Sequence, residues 1–121
     1  MAFKLEHVHL KSRDPAKTAG FYIENFGATL IEATHGDTRF RLDLHGLTLN
    51  VTGFIDYQKR EQRYGIEHLS LQTDDMDGAL AKLQANGARL LEQLTVHIRG
   101  CDRRVCFVES PDGIQVELVE M

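Results

Sequence analysis

Leu5-Glu6-His7-Val8-His9-Leu10-Lys11-Ser12-Arg13-Asp14 decides the reading of this chain, because Ile66-Glu67-His68-Leu69-Ser70-Leu71-Gln72-Thr73-Asp74-Asp75 repeats it sixty-one residues later. Each stretch places Glu and His after an aliphatic residue, alternates through a strand, and closes on Ser or Thr and Asp, the signal for a strand entering a helix. The likeness continues in Gly27-Ala28-Thr29-Leu30-Ile31-Glu32 against Gly87-Ala88-Arg89-Leu90-Leu91-Glu92, and in Gly46-Leu47-Thr48-Leu49-Asn50-Val51 against Gly113-Ile114-Gln115-Val116-Glu117-Leu118. Two copies are too few for a solenoid, so the repeat reads as a duplicated module whose two sheets complete one another.

At 121 residues the chain is one ordinary domain's worth, enough for a shared core but not for two independent ones. The net charge of −4, with both signs interspersed, offers no basic face for nucleic acid or an acidic membrane, and a small-molecule partner is the expectation. No apolar run approaches the roughly 20 residues of a membrane span, and Met1-Ala2-Phe3-Lys4-Leu5-Glu6 shows no signal-peptide pattern, which points to the cytoplasm. Cys101 and Cys106 match neither a zinc-knuckle nor a redox spacing and read as unpaired thiols.

The first strand is expected over Phe3 to Lys11, with Leu5, His7 and His9 on one face and Val8 and Leu10 on the other. Asp14 caps a helix with Pro15 at its first position, Ala19, Tyr22, Ile23 and Phe26 at helical spacing, and Gly27 as its stop. Strands follow near Ala28 to Thr34, Arg39 to Leu44 and Leu47 to Phe54, completing a βαβββ module over 1–54. The charged stretch 55–65 is a short connector. The second module, 66–121, repeats the order: strand Ile66 to Gln72, a helix over Met76 to Asn86 capped by Asp74 or Asp75, and strands near Arg89 to Ile98, Arg104 to Glu109 and Ile114 to Val119. The fold class is α+β: a single domain, 1–121, of two tandem βαβββ modules.

Strand parity then turns pattern into chemistry. Val8 and Leu10 meet the first helix, so His7 points to the open face; Leu69 and Leu71 do the same for His68. Leu49 and Val51 turn Thr48 and Asn50 outward, and Val116 and Leu118 turn Gln115 and Glu117 outward. Two imidazoles and a carboxylate are a sufficient set for a divalent metal with vacant positions, and Asn50 adds a weak amide oxygen. Any single His on a half-buried strand is more often a solvated polar residue. The repeat relation of His7 to His68 and of Asn50 to Glu117 favours the metal site.

With Glu6-His7-Val8, the helix end Gly20-Phe21-Tyr22-Ile23-Glu24-Asn25-Phe26-Gly27, Ile66-Glu67-His68-Leu69, and Ser110-Pro111-Asp112-Gly113-Ile114-Gln115-Val116-Glu117-Leu118, the chain resembles the vicinal oxygen chelate superfamily. That superfamily holds glyoxalase I, methylmalonyl-CoA epimerase, extradiol dioxygenases, fosfomycin-modifying enzymes and bleomycin-binding proteins. The resemblance implies an open, cup-shaped mixed sheet with helices on its outer face and ligands on the first and last strand of each module. His7 then corresponds to the first ligand, Asn50 to the second, His68 to the third and Glu117 to the fourth. Glyoxalase- and epimerase-like members commonly carry Glu or Gln at the second position, and Asn50 departs from this.

That departure bears on mechanism, because Asn50 cannot accept the proton that a carboxylate there would take. Glu117 is the expected catalytic carboxylate. His9 follows His7 on the same face as a proton carrier, supporting partner or substitute ligand, with a structural imidazole as the competing reading. Arg39, Arg41 and Arg104 alternate with apolar neighbours and either line the cup, attracting an anionic substrate, or face solvent. Tyr57 and Tyr64 form a rim or plain surface.

The expected activity is that of a divalent-metal-dependent, glyoxalase-like lyase or isomerase polarising neighbouring oxygens of a small molecule, with Zn, Ni, Mn, Co or Fe(II) as the ion. The alternatives are an Fe(II)-dependent extradiol-type dioxygenase and a metal-free binding protein of the bleomycin-resistance kind. A homodimer is expected from the apolar, partly unpaired edges of the modules.

Overall fold

A computed structural model describes residues 2–98 and 100–120. Its elements are β1 (Phe3–Lys11), α1 (Pro15–Phe26), β2 (Thr29–Thr34), β3 (Arg39–Leu44), β4 (Leu47–Thr52), β5 (Gly65–Thr73), α2 (Met76–Ala85), β6 (Arg89–Ile98), β7 (Cys101–Glu109) and β8 (Gln115–Glu120). The α+β class and the twice-repeated βαβββ order stand as expected. Strands run β2-β3-β4-β1 in the first module and β5-β8-β7-β6 in the second. In each, first and last strands pair in parallel and the others antiparallel.

The local signals work as their chemistry predicts. The Asp14 carboxylate accepts from the Lys17 amide, and Asp75, rather than Asp74, caps α2 by accepting from the Gly78 amide at 2.9 Å. Gly27 ends α1 in the left-handed region at φ 75°. His45 reaches the same helix end from the β3–β4 turn, its Nε2 donating to the Phe26 carbonyl at 2.6 Å. A Cβ at Gly27 would meet only ordinary contact with the His45 ring, at 3.8 Å, so its cost is the backbone conformation itself. Gly27→Ala is expected to cost about 1 kcal/mol in urea unfolding, the left-handed penalty of an L side chain.

Two strands begin earlier than expected, β5 by a single residue at Gly65 and β7 by more. β7 starts at Cys101 rather than Arg104, because Cys101-Asp102-Arg103 pairs with Ile98, His97 and Val96 across the hairpin. Charge obscured that start, since cross-strand backbone bonds do not depend on side-chain polarity. Both thiols are free, Cys101 exposed and Cys106 buried. No described helix is long and apolar enough to cross a membrane.

Two compact units emerge, His7–Glu67 and Met1–Glu6 with His68–Met121, so the start of each repeat strand is counted with the opposite module. Side chains show the exchange. Gln72 donates to the Glu6 carboxylate at 2.6 Å, while the side chain of Lys11, the repeat counterpart of Gln72, lies 3.9 Å from the carboxylate of Glu67, the counterpart of Glu6. Glu67 is also 3.4 Å from Arg60, and Lys11 donates to Gln58 and Gln62, tying the connector down.

In the first unit α1 covers a core of Leu10, Ala19, Ala28, Leu42, Leu49 and Val51, with Val8 and Tyr22 packed against it. In the second, α2 covers Met76, Ala79, Cys106 and Leu118. The opposite face of the second sheet has its own apolar cluster, Val105, Phe107 and Val119 with Leu94 and Val96 beside it. Leu69 departs from the expected helix-facing role: it is 40% exposed, and Leu71 alone of that pair packs toward α2.

Candidate functional site

His7 and His9 lie on the face of β1 turned away from the α1 core, as parity requires, and both are buried. Their rings stand 5.9 Å apart, with ligand nitrogens within 4.8 Å of one another. A solvated surface pair would not be withdrawn from water in this way. His9 Nε2 is 2.9 Å from Thr52 Oγ1, whose hydroxyl donates to the Gly53 carbonyl at 2.9 Å. Thr52 thus holds the His9 ring through Nε2, with the Gly53 carbonyl as a second neighbour of the same hydroxyl.

Asn50 sits beside His9 in the β1–β4 register and is half-buried. Its side-chain oxygen accepts from Arg41 Nη1 at 3.2 Å. A neutral amide already committed to a guanidinium is a poor metal ligand. Arg39 and Arg41 are half-buried on the Asn50 face, not fully solvated. Arg104 is on the other face of its sheet, paired with Asp77 at 2.9 Å and Glu120 at 3.0 Å. Those two carboxylates hold its guanidinium above its ordinary pKa, and it does not share a face with Glu117.

The second module repeats this layout with other chemistry. Ser70 occupies the repeat position of His9 and pairs in register with Glu117, as His9 pairs with Asn50. Ser70 is wholly buried, and its hydroxyl donates to Glu117 Oε1 at 2.6 Å. His68 is buried with the Phe107 ring edge-on at 5.2 Å, and Glu117 is half-buried beside Phe107 in the β7–β8 register. The wall around these polar groups is the Val105, Phe107 and Val119 cluster.

Sequence reasoning missed Ser70, Thr52 and this apolar wall. The first was legible as the repeat counterpart of His9. The wall was signalled by Val105-Cys106-Phe107-Val108, a continuous apolar run that alternation alone does not explain and that suits a strand buried on both faces. Buried imidazoles and a half-buried carboxylate are the donor types a borderline divalent ion takes, so the residues present fit such a group.

Comparison with known proteins places the fold. Residues 4–118 match the family model described as the Glyoxalase/Bleomycin resistance protein/Dioxygenase superfamily. A lactoylglutathione lyase of Escherichia coli O157:H7 is 24% identical over 97% of this chain and 92% of its own length. Among solved structures, a hypothetical protein from Bacillus halodurans C-125 superposes with a TM-score of 0.76 at 16% identity, covering 100% of this chain and 96% of that one. The methylmalonyl-CoA epimerase of Mycobacterium tuberculosis gives 0.65 at 20% identity, covering 96% and 86%. These structural likenesses speak to fold alone; the family match, spanning nearly the whole chain, shows that the protein belongs to the Glyoxalase/Bleomycin resistance protein/Dioxygenase superfamily.

Proposed function

We propose that this chain is a divalent-metal-dependent enzyme of glyoxalase-like chemistry, a lyase or isomerase acting on a small molecule with two neighbouring oxygens. His7, His68 and Glu117 would hold the ion. The observation that carries the reading is the burial of His7 and His9 side by side on the polar face of β1. When bound, the ion would polarise the substrate oxygens.

The chain's own groups supply the rest. Ser70 fixes one oxygen of Glu117 through a 2.6 Å hydrogen bond and so orients the other. His9, held in place by Thr52, supplies an imidazole suited to moving a proton. Arg41 and Arg39 on the same face attract an anionic substrate. The Phe107 cluster excludes water beside Glu117.

Purified protein analysed for metal, then assayed on a hemithioacetal of methylglyoxal with each candidate ion restored, tests the reading. Metal-independent binding of small molecules without turnover would overturn it. The engagement of Asn50 with Arg41 favours one second reading, a two-His-one-carboxylate iron site for extradiol dioxygenation, which catechol turnover under Fe(II) would reveal. Asn50→Glu is expected to raise metal affinity about tenfold, or 1.4 kcal/mol, and to lower turnover, because a fourth strong ligand takes a position the substrate needs. Metal titration and kcat measure the two effects. We further propose a cytoplasmic homodimer through the β2 edge, where Leu30 and Ile31 are each 52% exposed; light scattering showing only monomer would exclude the dimer.

A further inference from the structure

The two helices carry different side chains at matching positions, and only one of the three α1 rings, Tyr22, is turned to the core, with Phe21 and Phe26 exposed. In α1, Phe21, Tyr22 and Phe26 touch one another with ring centroids 5.5 to 6.0 Å apart, and Tyr22 packs on the buried core. Counted back from the paired helix stops Gly27 and Gly87, the same three positions in the second module hold Ala81, Lys82 and Asn86. Beneath α2 lies a cavity of about 720 Å³, walled by Leu71, Leu83, Val108 and Val116, with the exposed side chains of Lys82 and Asn86 also lining it. Leu83 belongs to α2 itself, and Leu71, Val108 and Val116 to the face of the sheet beneath it, opposite the face that carries His68 and Glu117.

We propose that this cavity is a second ligand site, for a small amphipathic carboxylate whose apolar tail lies against Leu83 and Val116 and whose head meets Lys82. The volume falls within the roughly 300 to 1,000 Å³ of small-molecule pockets, and the walls are apolar with few polar groups, as such pockets are. The sign of the head group follows from the charges around the cavity. Arg89 is neutralised by Glu109 at 2.8 Å. At the end of α2 the Lys82, Leu83 and Gln84 carbonyls accept from the Asn86, Gly87 and Ala88 amides. Among the described groups lining the cavity, Lys82 remains as the charge without an ion-pair partner.

Calorimetric titration of the intact protein with decanoate and with 1-decanol tests both halves of the proposal. Decanoate is expected to bind once per chain and about tenfold more tightly than decanol, a difference that Lys82→Gln abolishes. Leu83→Trp, and Val116→Phe as an independent filling variant, should each block both ligands while circular dichroism reports an intact fold. Absence of saturable decanoate binding, equal affinity for acid and alcohol, or undiminished binding in a folded filling variant would overturn the proposal.

Discussion

Replacing Glu67 by Ala is expected to lower the free energy of unfolding by about 3 to 5 kcal/mol, the cost of removing one partner from a buried ion pair. The Glu67 side chain is fully buried, with the Lys11 ammonium at 3.9 Å and the Arg60 guanidinium at 3.4 Å. Without it, two buried cations face each other with only Gln58 and Gln62 as acceptors for Lys11. Urea denaturation at neutral pH measures the loss; a change below about 1 kcal/mol would mean that the carboxylate holds nothing together.

Lys11 adds a pH signature to the same cluster. Burial, offset in part by Glu67, lowers its pKa from 10.5 to about 8. The unfolded chain therefore binds the proton more tightly between those values, so stability should rise as pH increases from about 8 toward 10.5 and then level off. In Glu67→Ala the offsetting carboxylate is gone, the Lys11 pKa falls further, and the rise should begin at lower pH. Denaturation midpoints across this range, compared with those of Lys11→Met, isolate the contribution.

The second large effect concerns the proposed metal. His68→Ala, like His7→Ala, is expected to reduce metal affinity by more than the roughly 10- to 100-fold that loss of a supporting partner costs. Ser70→Ala should fall within that range, because it frees Glu117 from its 2.6 Å restraint without removing a donor. Metal content after dialysis, followed by competition with a chelator, measures both. Stoichiometric metal with unchanged affinity in His68→Ala would refute the ligand set, while a Ser70→Ala deficit without a His68→Ala deficit would place the ion elsewhere around Glu117.

Much of the fold is local and was therefore legible. Asp14-Pro15 and Gly27 delimit α1 because a cap, a preset φ and a left-handed stop act within a few residues. The repeat made His7, Asn50, His68 and Glu117 candidates together, and the period of two put Val8 and Leu10 on the α1 side and left His7 to the opposite face. The same parity rule worked less well for Leu69, because facing a helix by parity does not ensure that the helix extends far enough to cover it.

By itself, then, the sequence determined the module order, the helix limits and the faces from which the candidate ligands project, since each depends on spacing along one stretch of chain. Only the tertiary structure decided that Ser70 restrains Glu117, that Arg41 occupies the Asn50 oxygen, and that Thr52 holds the ring of His9. It alone revealed the exchange of strand starts and the cavity beneath α2. Such contacts join strands distant in sequence, and their register is set by the packing of whole elements rather than by the residues that touch.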